Sequence, residues 1–272
     1  MAQIKHIMQW IDSWAPFRFA EPWDNCGLQI GDPEAHVSKV MVALDPGSSV
    51  LDEARDLGCQ CLVTHHPLFF KPINALLTNT WPGTIIVKAL ACGINIIAAH
   101  TNLDAARDGT NAQLKRLLGL HSVEPLDTAR IDDERYAGIG LLGDLPRSMS
   151  LQSLVALLSH GLGDAAVRVA GDPDRLITRL AVCTGSGGSL IGKVLTAGAD
   201  AFVSGDMKYH DGKLAEENGL AIIDIGHFAS ERLMLEPLAS FLIARSDAEQ
   251  SGIEVYIAKS ERDPFRVISE KC

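Results

Sequence analysis

Residues 39–66, KVMVALDPGSSVLDEARDLGCQCLVTHH, and residues 178–206, TRLAVCTGSGGSLIGKVLTAGADAFVSGD, decide the fold. Each opens on a short apolar, β-branched run and passes through a Gly- and Ser-containing turn into a helical pattern. Each then meets a glycine and enters a second apolar run. That is a β–α–β unit, since a glycine at the helix exit before a short β-branched run is the expected helix-to-strand junction. The two stretches align without a gap at an offset of 140, which sets Gly47, Ser49, Gly58 and Val63 on Gly187, Ser189, Gly198 and Val203. Two explanations stand side by side: an internal duplication, or the chance likeness of two β–α–β units.

The flanking sequence continues the pattern. Ile4, Ile7, Met8, Ile11 and Trp14 recur at helical spacing, followed by a turn-rich aromatic loop, APFRFAEPWDNCGLQIGDP. Strands are expected at 39–45, 60–64 and 94–99, and helices at 49–57, 84–92 and 109–118. Beyond Glu124 the rhythm is less regular: a strand at 138–145, Ser150 capping a helix over 151–160, then a strand at 179–185. A second match, at an offset of 127, places His100 on His227 and Asp104 on Glu231. The expected architecture is α/β, two similar interlinked halves with a site in the cleft between them. Residues 1–125 form the first half and 126–235 the second, and a C-terminal helix and strand, 236–272, return to pack on the first.

A chain of 272 residues, 47% of them hydrophobic, is long enough to bury a full core and is not disordered. A net charge of −10 argues against a broad nucleic-acid-binding surface. The six cysteines, Cys26, Cys59, Cys61, Cys92, Cys183 and Cys272, include no CxxC pair and read as reduced thiols of a cytoplasmic protein. Thiolate ligation by Cys59 and Cys61 is the alternative. The N-terminus lacks a secretory pattern, and no apolar run approaches the ~20 residues that span a bilayer.

Three apolar runs end in ligand-type side chains: CLVTHHP delivers His65 and His66, GINIIAAHTNLD delivers His100 and Asp104, and LAIIDIGHFASE delivers His227 and Glu231. His65 and His66 are sequence neighbours, so they converge only if the chain turns after the strand, and adjacent histidines can serve different ions. His227 and Glu231, spaced i, i+4, share one face of a helix beginning near Gly226. Three imidazoles and two carboxylates suit Zn, Mn, Fe, Co or Ni and disfavour an all-oxygen Ca or Mg cage. Five donors exceed one tetrahedral zinc with an open position and fit two divalent ions sharing a bridge, with a metal-activated water as nucleophile.

Other residues carry two readings each. His100 orients a ligand, acts in acid–base chemistry, or is structural. Asp206 falls on the repeat position of His66, with His210 following in SGDMKYHD; they contact substrate, transfer a proton, or cap the next helix. Trp23 and Asp24 stack against and hydrogen-bond a ring, or Trp23 is a packing anchor. GSGGS at 185–189 precedes a helix and can offer backbone N–H groups to a phosphate, but it lacks the P-loop lysine.

Taken together, EPWDNCGLQIGDP, VTHHPLFF, HTNLDAA, CTGSGGSLI, VSGDMKYHD, DIGHFASE and SERDPFRVI make the chain resemble the NIF3-like family of GTP cyclohydrolase 1 type 2 homologues over nearly its whole length. The resemblance implies a dinuclear metal site at His65, His66, Asp104, His227 and Glu231, two similar α/β halves, and a ring-shaped homohexamer. DGTN at 108–111 departs from the glycine pair of many members, which bears on loop shape rather than on the ligands. The function implied is metal-dependent hydrolysis of a nucleotide-like or other small anionic substrate. In a cyclohydrolase reaction a purine ring would open by attack at C8, with His100 or His210 moving protons. The alternative is a non-catalytic metal-handling protein or an oligomeric scaffold for partner proteins.

Overall fold

The computed structural model describes residues 2–127, 133, 135–136, 138–163 and 165–266. Cys272 and the end of the closing SERDPFRVI motif lie outside the described residues. The chain divides into two compact units, residues 1–106 with 234–262, and residues 107–233 with 263–272. The division falls at 106/107 rather than at the expected 125/126. Strand His121–Asp127 explains the difference: it pairs antiparallel with Ile139–Ser150, so the segment before residue 125 belongs to the second unit's sheet.

The first unit is built on a five-stranded sheet. Lys39–Ala43, Cys61–Thr64 and Asn95–Ala98 lie parallel in that order, Glu254–Ile257 adds parallel to the outer side of Lys39–Ala43, and Gly27–Ile30 runs antiparallel beside Asn95–Ala98. Parallel strands covered on both faces need apolar residues at every position, which is why these runs are continuous rather than alternating. Met41, Leu62 and Ile96 pack with Leu51 of helix Ser48–Asp56 and Ile85 and Ala89 of helix Gly83–Ala91. Helix Leu235–Ala248 packs on Lys39–Ala43 and Glu254–Ile257. The first helix, Ile4–Trp14, buries Ile4, Ile7, Trp10 and Ile11, the stripe its 3.6-residue period demands, and the Trp10 indole donates to Glu249 at 2.9 Å.

The second unit holds a six-stranded sheet. Leu176–Ser186, Ala201–Gly205 and Ala221–Asp224 are its parallel centre, with Arg168–Ala170 antiparallel at one edge. Strand Ile139–Ser150 runs five residues beyond its predicted end, up to the cap of helix Leu151–Gly161, where Ser150 Oγ accepts from Ser153 N as expected. Alternate side chains feed two cores. Leu180, Val182, Val203 and Ile223 pack with Leu154 and Leu158, while Ala181, Cys183, Phe202 and Ile222 pack with Val194 and Ala215.

Strand register follows the sequence match within each unit. Val40 pairs with Cys61 and Leu180 with Ala201, as an offset of 140 requires. The third strands differ: Cys61 pairs with Asn95 and Ala201 with Ala221, a spacing of 126 rather than 127. The helix starts, Thr101 and His227, are likewise 126 apart, so strand and helix keep their spacing and His227 falls on the position of Thr101 rather than of His100. As a result His100 precedes its helix, Thr101–Asp104, whereas His227 opens its own, His227–Arg232.

Candidate metal centre

In the first unit, strand Cys61–Thr64 ends just before the two histidines. His65 N and His66 N still donate to Ala43 O and Leu44 O, while Thr64 Oγ1 donates to His66 O at 2.7 Å and bends the chain there. That turn brings the neighbouring rings to 5.1 Å rather than to opposite faces. His100 follows the next strand, its ring 5.1 Å from His65 and 5.6 Å from His66. One ring nitrogen from each of His65, His66 and His100 lies within 4.8 Å of the others. His100, expected beside the ligand set, thus stands among donors, and Asp104 Oδ1 lies 3.6 Å from His65 Nε2.

Each imidazole is oriented through Nδ1. His65 Nδ1 donates to the Ala99 carbonyl at 2.9 Å, His66 Nδ1 to Asp45 Oδ1 at 2.9 Å and His100 Nδ1 to Asp24 Oδ1 at 3.0 Å. A carbonyl or carboxylate can only accept, so each Nδ1 carries a proton, and a neutral ring then has its lone pair on Nε2, the state in which a histidine binds a metal. Asp24 was expected to contact substrate. Its side chain is instead fully buried and committed, accepting from His100, Thr101 N and Oγ1, Cys26 Sγ and Asn25 N. Burial alone would raise its carboxyl, but the hydrogen bonds from His100 and Thr101 outweigh that and hold it well below the usual carboxylate range. Trp23 remains exposed, its ring centroid 6.1 Å from both His100 and Phe70.

The second unit repeats the device. His227 Nδ1 donates to Asp206 Oδ2 at 2.8 Å, and its Nε2 lies 3.1 Å from Glu231 Oε2 across one helical turn. Asp206 adopts a left-handed backbone (φ +54°), and it positions this histidine rather than a substrate. Asp224 accepts from Gly226 N and Met207 N, fixing the turns that carry His227 and Asp206, and pairs with Arg168.

Two amides of GSGGS are committed within the protein: Gly185 N donates to Ser230 Oγ and Gly187 N to Ser204 Oγ, both at 2.9 Å. The motif's glycines permit close approach. A Cβ on Gly185 would lie 2.2 Å from Glu231 Oε1, and one on Gly187 would lie 2.4 Å from Ser204 Oγ. His210 is exposed and packs edge-on against Tyr209, and the described residues place it in no donor group. Cys59 and Cys61 are buried and likewise in no donor group, which removes the thiolate alternative. Asp45 escaped the sequence reading, because nothing in spacing ties it to a histidine 21 residues away.

A family model, Duf34/NIF3 (NGG1p interacting factor 3), matches residues 2–264. The chain is 35% identical over 266 residues to a GTP cyclohydrolase 1 type 2 homolog of Clostridium perfringens, covering 98% of this chain and 100% of that protein. It is 34% identical over 268 residues to a protein of the same name from Streptomyces coelicolor, covering 97% and 94%. The crystal structure of a Bacillus cereus protein related to NIF3 superposes with a TM-score of 0.92 at 25% identity, covering 98% and 99%.

Proposed function

The chain belongs to the Duf34/NIF3 family, and on that premise we propose that it is a dinuclear-metal-dependent hydrolase acting on a nucleotide-like or other small anionic substrate. One observation carries the reading: His65, His66 and His227 each have Nδ1 bound to an oxygen acceptor, which reserves Nε2 for a metal. Asp104 and Glu231 lie beside two of those nitrogens and complete a donor set of mixed nitrogen and oxygen. That set fits Zn, Mn, Fe, Co or Ni. We assign His65, His66, Asp104, His227 and Glu231 to hold two ions. When bound, such ions supply Lewis acidity and lower the pKa of water toward neutrality.

The chain's own residues do the rest. His100, its Nδ1 fixed by Asp24, presents Nε2 as a proton carrier beside the ligand histidines. Trp23, exposed beside it, offers a face on which a planar ring can stack. The curated relatives' name supports a purine nucleotide as the first substrate to try. We also propose self-association, supported by exposed apolar side chains at Ile73, Leu76, Leu77 and Trp81.

The test is metal content by elemental analysis of wild type, His65→Ala and Glu231→Ala, followed by nucleotide turnover with the loaded protein. Two transition-metal ions per chain, lost in both variants, and release of a ring-opened product are expected. Absence of uptake from a panel of divalent ions would overturn the metal reading. Uptake without turnover would leave a metal-handling or scaffold protein.

A further inference from the structure

We propose that Glu261 is a positioning residue for His66, acting through Asp45; the proposal rests on the assignment of His66 as a metal ligand. Glu261 lies in the closing SERDPFR motif, for which the site as described has no use. Its Oε2 accepts from Leu44 N at 2.9 Å and its Oε1 from Asp45 N at 2.6 Å, so one carboxylate spans two consecutive amides just past strand Lys39–Ala43. The Leu44 carbonyl accepts from His66 N at 2.8 Å, and Asp45 Oδ1 accepts from His66 Nδ1 at 2.9 Å. Glu261 therefore grips the short segment that touches His66 twice, once through backbone and once through the imidazole.

Asp45 needs that grip. Its side chain is 56% exposed, and an exposed carboxylate after a strand end has many rotamers open to it. Fixing its amide aims the carboxylate at Nδ1 and keeps the His66 lone pair on Nε2. Two charge-assisted hydrogen bonds from one carboxylate give the direction that a single contact would not. A carboxamide in its place keeps one acceptor oxygen and turns an NH2 toward the other amide.

The segment bearing Glu261 is tied down independently. Ala258 N donates to Val42 O at 2.9 Å, and Lys259 N and Ser260 N donate to the Glu53 carboxylate at 3.0 and 2.8 Å. Glu53 therefore supplies a control, since it holds the segment that bears Glu261 without reaching Asp45 or His66.

The experiment uses the full chain stripped of metal, comparing wild type with Glu261→Gln, Asp45→Asn, the double variant, Glu53→Gln and His66→Ala. Imidazole 15N NMR of the metal-free protein reads the His66 tautomer, and Co2+ titration reads affinity. Outer partners of ligand histidines are worth roughly 10- to 100-fold in metal affinity. Glu261→Gln and Asp45→Asn are each expected to lose on that order and to shift the His66 resonances alike. The double variant should lose no more than Asp45→Asn alone, and Glu53→Gln should match wild type. Equal losses in Glu53→Gln and Glu261→Gln, or unchanged His66 resonances in Glu261→Gln, would overturn the proposal. Should Glu261→Gln not fold, Glu261→Asp, which keeps the charge with a shorter reach, is expected to give a smaller loss, and wild-type behaviour there would overturn it too. If wild type takes up no Co2+, the ligand assignment fails, while the His66 resonances still decide the role of Glu261.

Discussion

A methyl group on Gly185 would sit 2.2 Å from Glu231 Oε1, at a backbone φ of +66° that L-residues rarely adopt. Gly185→Ala therefore combines about 1–2 kcal/mol of backbone strain with displacement of a carboxylate assigned to metal. The expected outcome is a lower Tm in a thermal scan together with reduced metal content, whereas Gly192→Ala, with nothing near its Cβ, should change neither by much. The thiols make a separate prediction. Burial pushes Cys59 from 9.0 up to about 11, and burial with the Asp24 charge pushes Cys26 up to about 12. Native protein should resist alkylation at pH 8 at both positions, as read by mass spectrometry. The sign of the pH effect follows. A raised thiol pKa gives stability that is intact below pH 9 and lost as pH rises through the folded value, so Cys59→Ala should flatten the fall in stability between about pH 9 and 11.

Helix Leu151–Gly161 begins at a cap legible in sequence, Ser150 before an apolar period, and Ser150 Oγ does accept from Ser153 N at 3.2 Å. Ser150→Ala should cost about 1 kcal/mol in a urea titration and leave metal content alone. Such local chemistry is why most elements could be read in advance: caps, glycine exits and apolar periods act over a few residues. The candidate donors could be picked out for the same reason, because strand ends announce themselves. The Nδ1 partners could not. Ala99 O, Asp45, Asp24 and Asp206 reach their histidines across 34, 21, 76 and 21 residues, and no periodicity records such pairings. GSGGS is ambiguous in sequence for a related reason. Glycine marks both an anion cradle and a close approach, and only the positions of Ser204, Ser230 and Glu231 tell them apart. The boundary at 106/107 was hidden because one helix and one strand of the second unit follow directly on the first unit's pattern.

At the scale of the whole chain, the first unit is assembled from two distant segments, and its second segment is structural rather than an appendage. Residues 234–262 bring helix Leu235–Ala248 and strand Glu254–Ile257, which pairs in parallel with Lys39–Ala43. They bury Met234, Leu235, Leu238, Leu242 and Ile253. At about 1.5–3 kcal/mol for each fully buried side chain, their loss is comparable to the 5–15 kcal/mol by which a domain is typically stable. It would also open one edge of the sheet to intermolecular pairing. The second unit keeps separate cores around Val182, Val203 and Ile223 and around Phe202 and Ile222, none of which draws on residues 234–262. A chain ending at residue 233 is therefore expected to lose slow amide exchange across residues 39–98 while keeping it across 176–224. Hydrogen exchange read by mass spectrometry decides the matter. Protection retained at 39–98 would show that the first segment folds without the second, and protection lost throughout would show that the two units fold as one.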